Sequence, residues 1–384
     1  MKKIQTPAIL LDLDTLEKNL KNFQQMADRG NKKLWPMLKT HKSIEIARMQ
    51  LNYGAMGFLC GTLDECEAIY ENFVRNEKRN IGIMYAYPVA SEPNISRVIK
   101  LAAYCDFYLR IDNYKQAKLL NEAGMAAGVH INYAVIINSG LNRFGISYCE
   151  LKNFMGKIAD LKHLKFAGIS THPGHVYGKT DKEGVLEVAR QESDIMTNAA
   201  NILRSMGTQP QIVSSGSTPT YPHTISDAAI CTLHPGNYVF MDNIQVSLEC
   251  AKEDDCALTV LTTVISAPRD GELIIDAGSK CLGLDKGAHG NGKIQGHGRI
   301  KSLGKWDYNA FTVYSLSEEV GKIIVNGSNG GIANFKIGDR LEIIPNHSCS
   351  TANNTSYFVA TRNGKFDRLI PVDMRSNSTT KGMS

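Results

Sequence analysis

The chain has 384 residues, 43% hydrophobic and 21% charged, with a formal net charge of +5. This is the composition of an ordinary water-soluble globular protein rather than a disordered one, and with no run of Lys or Arg interleaved with aromatics it argues against nucleic acid as a partner. No stretch approaches the roughly 20 apolar residues of a membrane span, and the length predicts two domains, one of them a barrel of about 250 residues.

The opening "MKKIQTPAILLDLDTL" has only a short apolar run, interrupted by Asp12 and Asp14 and without a small-residue cleavage site, so it does not read as a signal peptide. Its strand-like "PAILLDLD" precedes the barrel, and residues 1–15 are expected to join a later β domain. From residue 33 onward, short apolar runs alternate with amphipathic stretches. The predicted strands are "KLWPML" (33–38), "MGFLC" (56–60), "IGIMYA" (81–86), "DFYLRI" (106–111), "INYAVII" (131–137), "KFAGIST" (165–171), "PQIVSS" (210–215) and "TLHPGNYVFM" (232–241). Eight strand-helix units over about 210 residues predict a (β/α)8 barrel spanning 16–243. After Asn243 the texture changes to runs such as "ALTVLTTVISAP", "GELIIDAG", "GKIIVNG", "DRLEIIP" and "TSYFVATRNG", separated by Gly, Asn and Asp turns. Residues 244–384 therefore read as a mostly β C-terminal domain ending in a frayed tail, "RSNSTTKGMS". The nine cysteines, an odd number with no paired spacing, fit reduced thiols in a cytoplasm.

Active sites of such barrels lie at the C-terminal ends of the strands. The first strand leads into "LKTHKS", which brings Lys39, with His41 and Lys42 beside it, to the barrel mouth. Taken alone this is a basic loop, although a lysine can form a Schiff base where its surroundings lower its pKa. The fifth strand ends in "NSGLNRFG" with Arg143, and the sixth in "STHPGHVYG" with His172, His175 and Tyr177. The seventh and eighth lead into "SSGSTPT" and "HPGNY", Gly-containing loops whose backbone N–H groups could surround a phosphate. In the second domain, "PNHSCST" sets His347 and Cys349 two apart. On an extended strand they would share a face and could grip a metal ion, or they could be a packed strand end with a satisfied His.

A lysine on the first strand facing a phosphate cup suits pyridoxal 5'-phosphate. The motifs "TPAILLDLD", "KTHKSIEIARMQL", "SSGSTPT", "HPGNYVFMD", "IDAGSK", "LSEE" and "PNHSCST" occur in an order that resembles the fold-type III pyridoxal-phosphate family of D-serine dehydratases, D-threonine aldolases and D-threo-3-hydroxyaspartate dehydratases. The resemblance implies an alanine racemase-like barrel, with Lys39 as the Schiff-base lysine and Arg143 near the cofactor's phenolic oxygen. It puts Tyr177 along the cofactor site, and Gly216, Ser217, Thr218, Gly236 and Asn237 around the phosphate. His347 and Cys349 would bind a divalent metal, with zinc expected over manganese or magnesium because a thiolate is a soft ligand. The chain departs from the family pattern in three places. Trp35, Pro36 and Met37 stand where Arg-Pro-His is common, Ser170 stands where several relatives have tyrosine, and Val320 stands where a histidine is expected.

What the resemblance implies is a cytoplasmic, homodimeric lyase acting on β-hydroxy D-amino acids. His-x-Cys favours dehydration, giving a 2-oxo acid and ammonia, over D-threonine-aldolase-type cleavage to glycine and an aldehyde. Two further readings are a fold-type III racemase, which would need a second acid/base and no metal, and a cofactor carrier, which would not need the second domain.

Overall fold

The computed structural model describes residues 3–286, 290, 292–301, 311–325 and 335–375. Residues 376–384, most of the tail expected from the sequence, lie outside the described residues.

The eight apolar runs become eight parallel strands: β2 (Lys33–Leu34), β3 (Gly57–Cys60), β4 (Gly82–Tyr85), β5 (Phe107–Ile111), β6 (Ile131–Ile136), β7 (Leu164–Ser170), β8 (Ile212–Ser215) and β9 (Thr232–Leu233), with β1 (Ala8–Asp12) preceding them. Their order is β2-β9-β8-β7-β6-β5-β4-β3. The two ends meet, because Met56 N–H donates to the Leu34 carbonyl (3.0 Å) and Leu59 N–H to the Pro36 carbonyl (2.9 Å), which curls the sheet into a barrel. β2 and β9 are much shorter than the runs 33–38 and 232–241 predicted. Pro36 and Pro235 have no N–H to give to a ladder, and beyond them the chain turns into the short helical segments Leu38–Thr40 and Asn237–Val239. Pairing continues across the prolines through Trp35 N–H to Leu233 O (2.9 Å) and Met37 N–H to Pro235 O (3.0 Å).

The barrel interior is filled by Trp35, Met37, Leu59, Met84, Ala86, Ala134, Ala167 and Ile212. Trp35 lies against Gly57, where a Cβ would sit 2.7 Å from the indole, so the glycine is what lets the ring cross the barrel floor. The helices pack outside. Leu13–Arg29 starts from Asp12, whose carboxylate accepts Thr15 N–H, and presents Leu13, Leu16, Leu20, Phe23 and Ala27 to the core. Leu63–Ile69 and Tyr114–Ala127 start in the same way from Thr62 and Asn113.

The second domain contains β10 (Leu258–Arg269), β11 (Glu272–Ile275), β12 (Arg299–Ile300), β13 (Phe311–Leu316), β14 (Gly321–Val325), β15 (Arg340–Ile344), β16 (Tyr357–Arg362) and β17 (Lys365–Pro371). Its main path is β13-β14-β11-β10-β1-β16-β17, with β15 on β10 and β12 on β15. β1 lies inside this sheet, antiparallel to β10 with Ile9 opposite Val260 and parallel to β16 with Leu11 opposite Ala360. Among the described residues no helix is long and apolar enough to cross a membrane.

Candidate active site

The C-terminal strand ends surround a cleft with a volume of about 120 Å³. Lys39, Arg143, Tyr177, Gly216, Ser217, Gly236, Asn237, His347 and Cys349 all line it. Of the three basic residues in "KTHK", only Lys39 reaches the cleft. His41 is buried behind it, its Nδ1 accepting from Ser43 N–H and its Nε2 bonded to Gln50, and burial lowers its pKa to about 4. Lys42 turns inward with φ +48° and pairs with the buried Glu65 at 3.6 Å. Glu65 also accepts Gly61 N–H at 2.6 Å, beside the Lys39 stem.

The loops at Gly216 and Gly236 are bare because their neighbours exclude side chains. A Cβ on Gly216 would lie 2.6 Å from the His234 backbone, and one on Gly236 would lie 3.0 Å from Thr40 Oγ1 and 3.1 Å from Met37 Cβ. Ser217 bonds the Thr220 hydroxyl (2.9 Å). Thr218 does not line the cleft: its hydroxyl accepts Tyr238 N–H (3.0 Å). Asn237 faces the second domain with its side chain, donating to Asp242 (2.6 Å) and Ser348 (2.9 Å), so its backbone is what it can offer an anion. Behind the cup, buried Glu192 accepts from the Ser215 hydroxyl, and burial raises its pKa to about 8.

Two neutral imidazoles complete the floor. His172 donates from Nδ1 to the Gly216 carbonyl (2.7 Å), and His234 donates from Nδ1 to the Trp35 carbonyl (2.8 Å). Burial lowers both to about 3, with the Lys39 charge adding to the effect at His172. His175, expected at the same rim, does not line the cleft and lies under Gly140 instead.

His347 and Cys349 are not on a strand. β15 ends at Ile344, and His347 is the N-cap of a short helix, Ser348–Asn353, because Pro345 breaks the ladder and Ser348 N–H turns to Asp242 Oδ2 (3.0 Å). The two side chains nevertheless meet. Burial alone would push the Cys349 thiol up, but His347, followed by Lys39, outweighs it and holds the thiol below its ordinary value. Burial alone would lower His347, but the Cys349 thiolate and then Asp285 raise it well above 6.5. His347 Nδ1 bonds Asp285 at 2.6 Å, which leaves Nε2 for the cleft in the carboxylate-histidine arrangement common behind metal ligands. Among the described residues no three His, Cys, Asp or Glu side chains converge as a complete cage. His347 and Cys349 offer the cleft an imidazole and a thiol, a donor pair and not a complete cage.

Sequence reading missed Arg110, Asp242 and Asp285. An arginine inside the apolar run "DFYLRI" was the available signal for the first and the close of the motif "HPGNYVFMD" for the second, while Asp285 sits in a loop with no pattern of its own. Of the departures from the family pattern, Met37 lines the cleft, Ser170 is buried and accepts from the Ser214 hydroxyl (2.7 Å), and Val320 closes the β13–β14 turn away from the cleft.

Residues 11–243 match the family model of the alanine racemase N-terminal domain, and residues 257–361 match that of a putative serine dehydratase domain. The chain is 28% identical to D-threo-3-hydroxyaspartate dehydratase of Delftia sp. (strain HT23), over 91% of this chain and 92% of that one. The structure of that enzyme matches with a TM-score of 0.87, at 27% identity over 96% and 98% of the two chains, and a cysteine-to-alanine mutant of it has been solved in a metal-free form. D-serine dehydratase of Dictyostelium discoideum is 29% identical over 91% of each chain. D-threonine aldolase from Filomicrobium marinum has a TM-score of 0.85 at 25% identity, covering 98% and 96%. With both domain models matched in order, the chain belongs to the alanine racemase N-terminal domain family, in the serine-dehydratase branch of pyridoxal-phosphate-dependent lyases.

Proposed function

We propose that the protein is a pyridoxal-phosphate- and metal-dependent dehydratase of β-hydroxy D-amino acids, of the D-serine or D-threo-3-hydroxyaspartate type. The observation that carries this reading is that Lys39 from the barrel and the His347/Cys349 pair from the second domain open on one cleft. The cofactor supplies an electron sink for the carbanion at the substrate's Cα, and a metal ion makes hydroxide a better leaving group. The residues fit both groups. Among the described residues Lys39 is the one lysine on the cleft wall, opposite bare loops at Gly216 and Gly236, and Thr218 supports the cup from behind through Tyr238.

In this reading Lys39 Nζ, once free, takes the α-proton, and His347 Nε2 and Cys349 Sγ hold the metal. Tyr177, kept neutral by burial, lines the cofactor site as a hydrogen-bond group, while Arg143 offers its charge at the mouth, stacked 5.7 Å from Tyr87 and 5.2 Å from Phe144. The Asp242 carboxylate accepts from both Asn237 and Ser348, so it links the loop after β9 to the helix that follows His347. Zinc is the metal because thiolate with imidazole is a soft ligand set. A reducing cytoplasm suits the nine cysteines, none of which is in a disulfide, and a homodimer is the expected assembly.

The test is product analysis on D-serine, D-threonine and D-threo-3-hydroxyaspartate with both oxo acid and aldehyde measured. Ammonia and a 2-oxo acid are expected, abolished by chelator and restored by zinc. Glycine and aldehyde alone would assign retro-aldol cleavage instead.

A further inference from the structure

Two lysines of one short turn, Lys39 and Lys42, lie around a single buried carboxylate, that of Glu65. Lys42 is 6% exposed and Glu65 is fully buried. Their ion pair, Nζ to Oε1 at 3.6 Å, is the one that Glu65 makes among the described residues. Glu65 Oε2 also accepts Gly61 N–H at 2.6 Å. A Cβ on Gly61 would lie 3.0 Å from Lys39 Cβ and 3.6 Å from both Glu65 oxygens, so the carboxylate lies just across Gly61 from the Lys39 stem. Burial raises the Glu65 pKa, opposed first by the Lys42 charge and also by Gly61 N–H and the Lys39 charge. The other titratable groups facing Glu65 are the Cys60 and Cys66 thiols and the Tyr85 phenol, which burial keeps neutral.

The backbone decides which lysine takes the carboxylate. Lys42 holds a left-handed φ of +48°, a conformation that a β-carbon disfavours, and its carbonyl accepts Met374 N–H at 2.9 Å. Its side chain turns inward, while Lys39, in the single turn Leu38–Thr40, reaches the cleft. A buried carboxylate deprived of its partner is costly, so without Lys42 it would draw in another cation. The other cation whose charge reaches Glu65 is Lys39. An ammonium held in that pair has no lone pair to add to an aldehyde.

Resting on the pyridoxal-phosphate reading, we propose that Lys42 is a positioning residue that occupies Glu65, so that Lys39 stays a free amine directed into the cleft. The bond then forms between Lys39 Nζ and the aldehyde carbon, and both amine protons leave with the aldehyde oxygen as water. Lys42 does this without touching the cofactor, since it does not line the cleft.

The test measures the affinity of apo-protein for pyridoxal phosphate and for pyridoxine 5'-phosphate, which has an alcohol in place of the aldehyde and cannot be held covalently. The proteins are the wild type, Lys42→Met, and a double variant combining Lys42→Met with Glu65→Gln. Lys42→Met should fold, because Lys39 replaces the lost partner, and should bind pyridoxal phosphate at least about tenfold more weakly than the wild type. Its affinity for pyridoxine 5'-phosphate should stay within about twofold, since only the covalent bond depends on the amine. The double variant buries no carboxylate and keeps an amide oxygen for Gly61 N–H, so its affinity for pyridoxal phosphate should return to within about threefold of the wild type. Wild-type affinity for pyridoxal phosphate in a folded Lys42→Met overturns the proposal, and so does an equal loss for both compounds, which would make the pair a structural brace. A Lys42→Met that fails to fold also overturns it, because Glu65 then has not taken Lys39 as its partner, as does a double variant that recovers no binding. A wild type that binds neither compound, or binds both equally, overturns the underlying reading together with this one.

Discussion

At the scale of single residues, the division of labour between Lys39 and Cys349 can be tested. Cys349 comes from the second domain and touches the barrel through its bond to the Thr40 hydroxyl (3.3 Å), whereas the lysine and the glycine loops belong to the barrel alone. Cys349→Ala should therefore lose bound zinc by elemental analysis and lower turnover at least a hundredfold, while its cofactor absorbance stays at the wild-type level. Loss of the absorbance together with the metal would mean that the two sites are one structural unit. Glu192 gives a second residue-scale prediction. Burial raises its pKa from 4.5 to about 8, so the folded state holds a proton that the unfolded chain releases near pH 4.5. Stability contributed by the protonated acid is then lost as pH rises from about 4.5 to about 8 and is constant above that. Glu192→Gln should remove much of this loss, stabilising the protein at pH 8 by on the order of 2 kcal/mol in urea melts; an unchanged pH dependence of the melts would contradict the raised acid.

At the scale of elements, the anion loop after β8 exists only because Gly216 allows it to lie on the His234 backbone. Gly216→Ala places a Cβ 2.6 Å from the His234 carbonyl carbon, and backbone cannot give way as a side chain can. The loop must shift, so affinity for pyridoxal phosphate should fall at least tenfold by equilibrium dialysis, with a stability loss of about 1–3 kcal/mol; unchanged affinity would remove the loop from the phosphate site. The same element explains what was legible in advance. The barrel strands are short apolar runs bounded by helical patterns, so their order and number were readable, and position brought the loops of Lys39, Gly216 and Gly236 to the barrel mouth while the family resemblance supplied their expected roles. The ends of β2 and β9 were not, because the apolar runs continue past Pro36 and Pro235 while the ladders cannot. His347 and Cys349 were readable as a pair but not in their geometry: the turn into the helix Ser348–Asn353 is set by Asp242, about a hundred residues away in sequence, and local pattern carries no trace of it. Arg110 and Asp285 were missed for the same reason, since their meaning depends on partners brought by the fold.

At the scale of the whole molecule, β1 lies within the C-terminal sheet, so the chain's first strand and its last domain fold as one layer beside the barrel. That sheet carries the helix holding His347 and Cys349 onto the barrel mouth, where Asn243 donates to Asn346 (2.8 Å) and accepts Arg299 (2.9 Å). Light scattering should give a mass near twice 42.3 kDa for the active enzyme; full activity in a monomer would contradict the homodimer. The central claim is that this shared cleft is a cofactor site built on one lysine, and it is tested most directly by reducing the cofactor-loaded protein with borohydride and mapping the labelled peptide. The account predicts a single pyridoxyl group on Lys39. A label on Lys42, which is turned away into its ion pair with Glu65, or on any lysine outside the cleft, would contradict it.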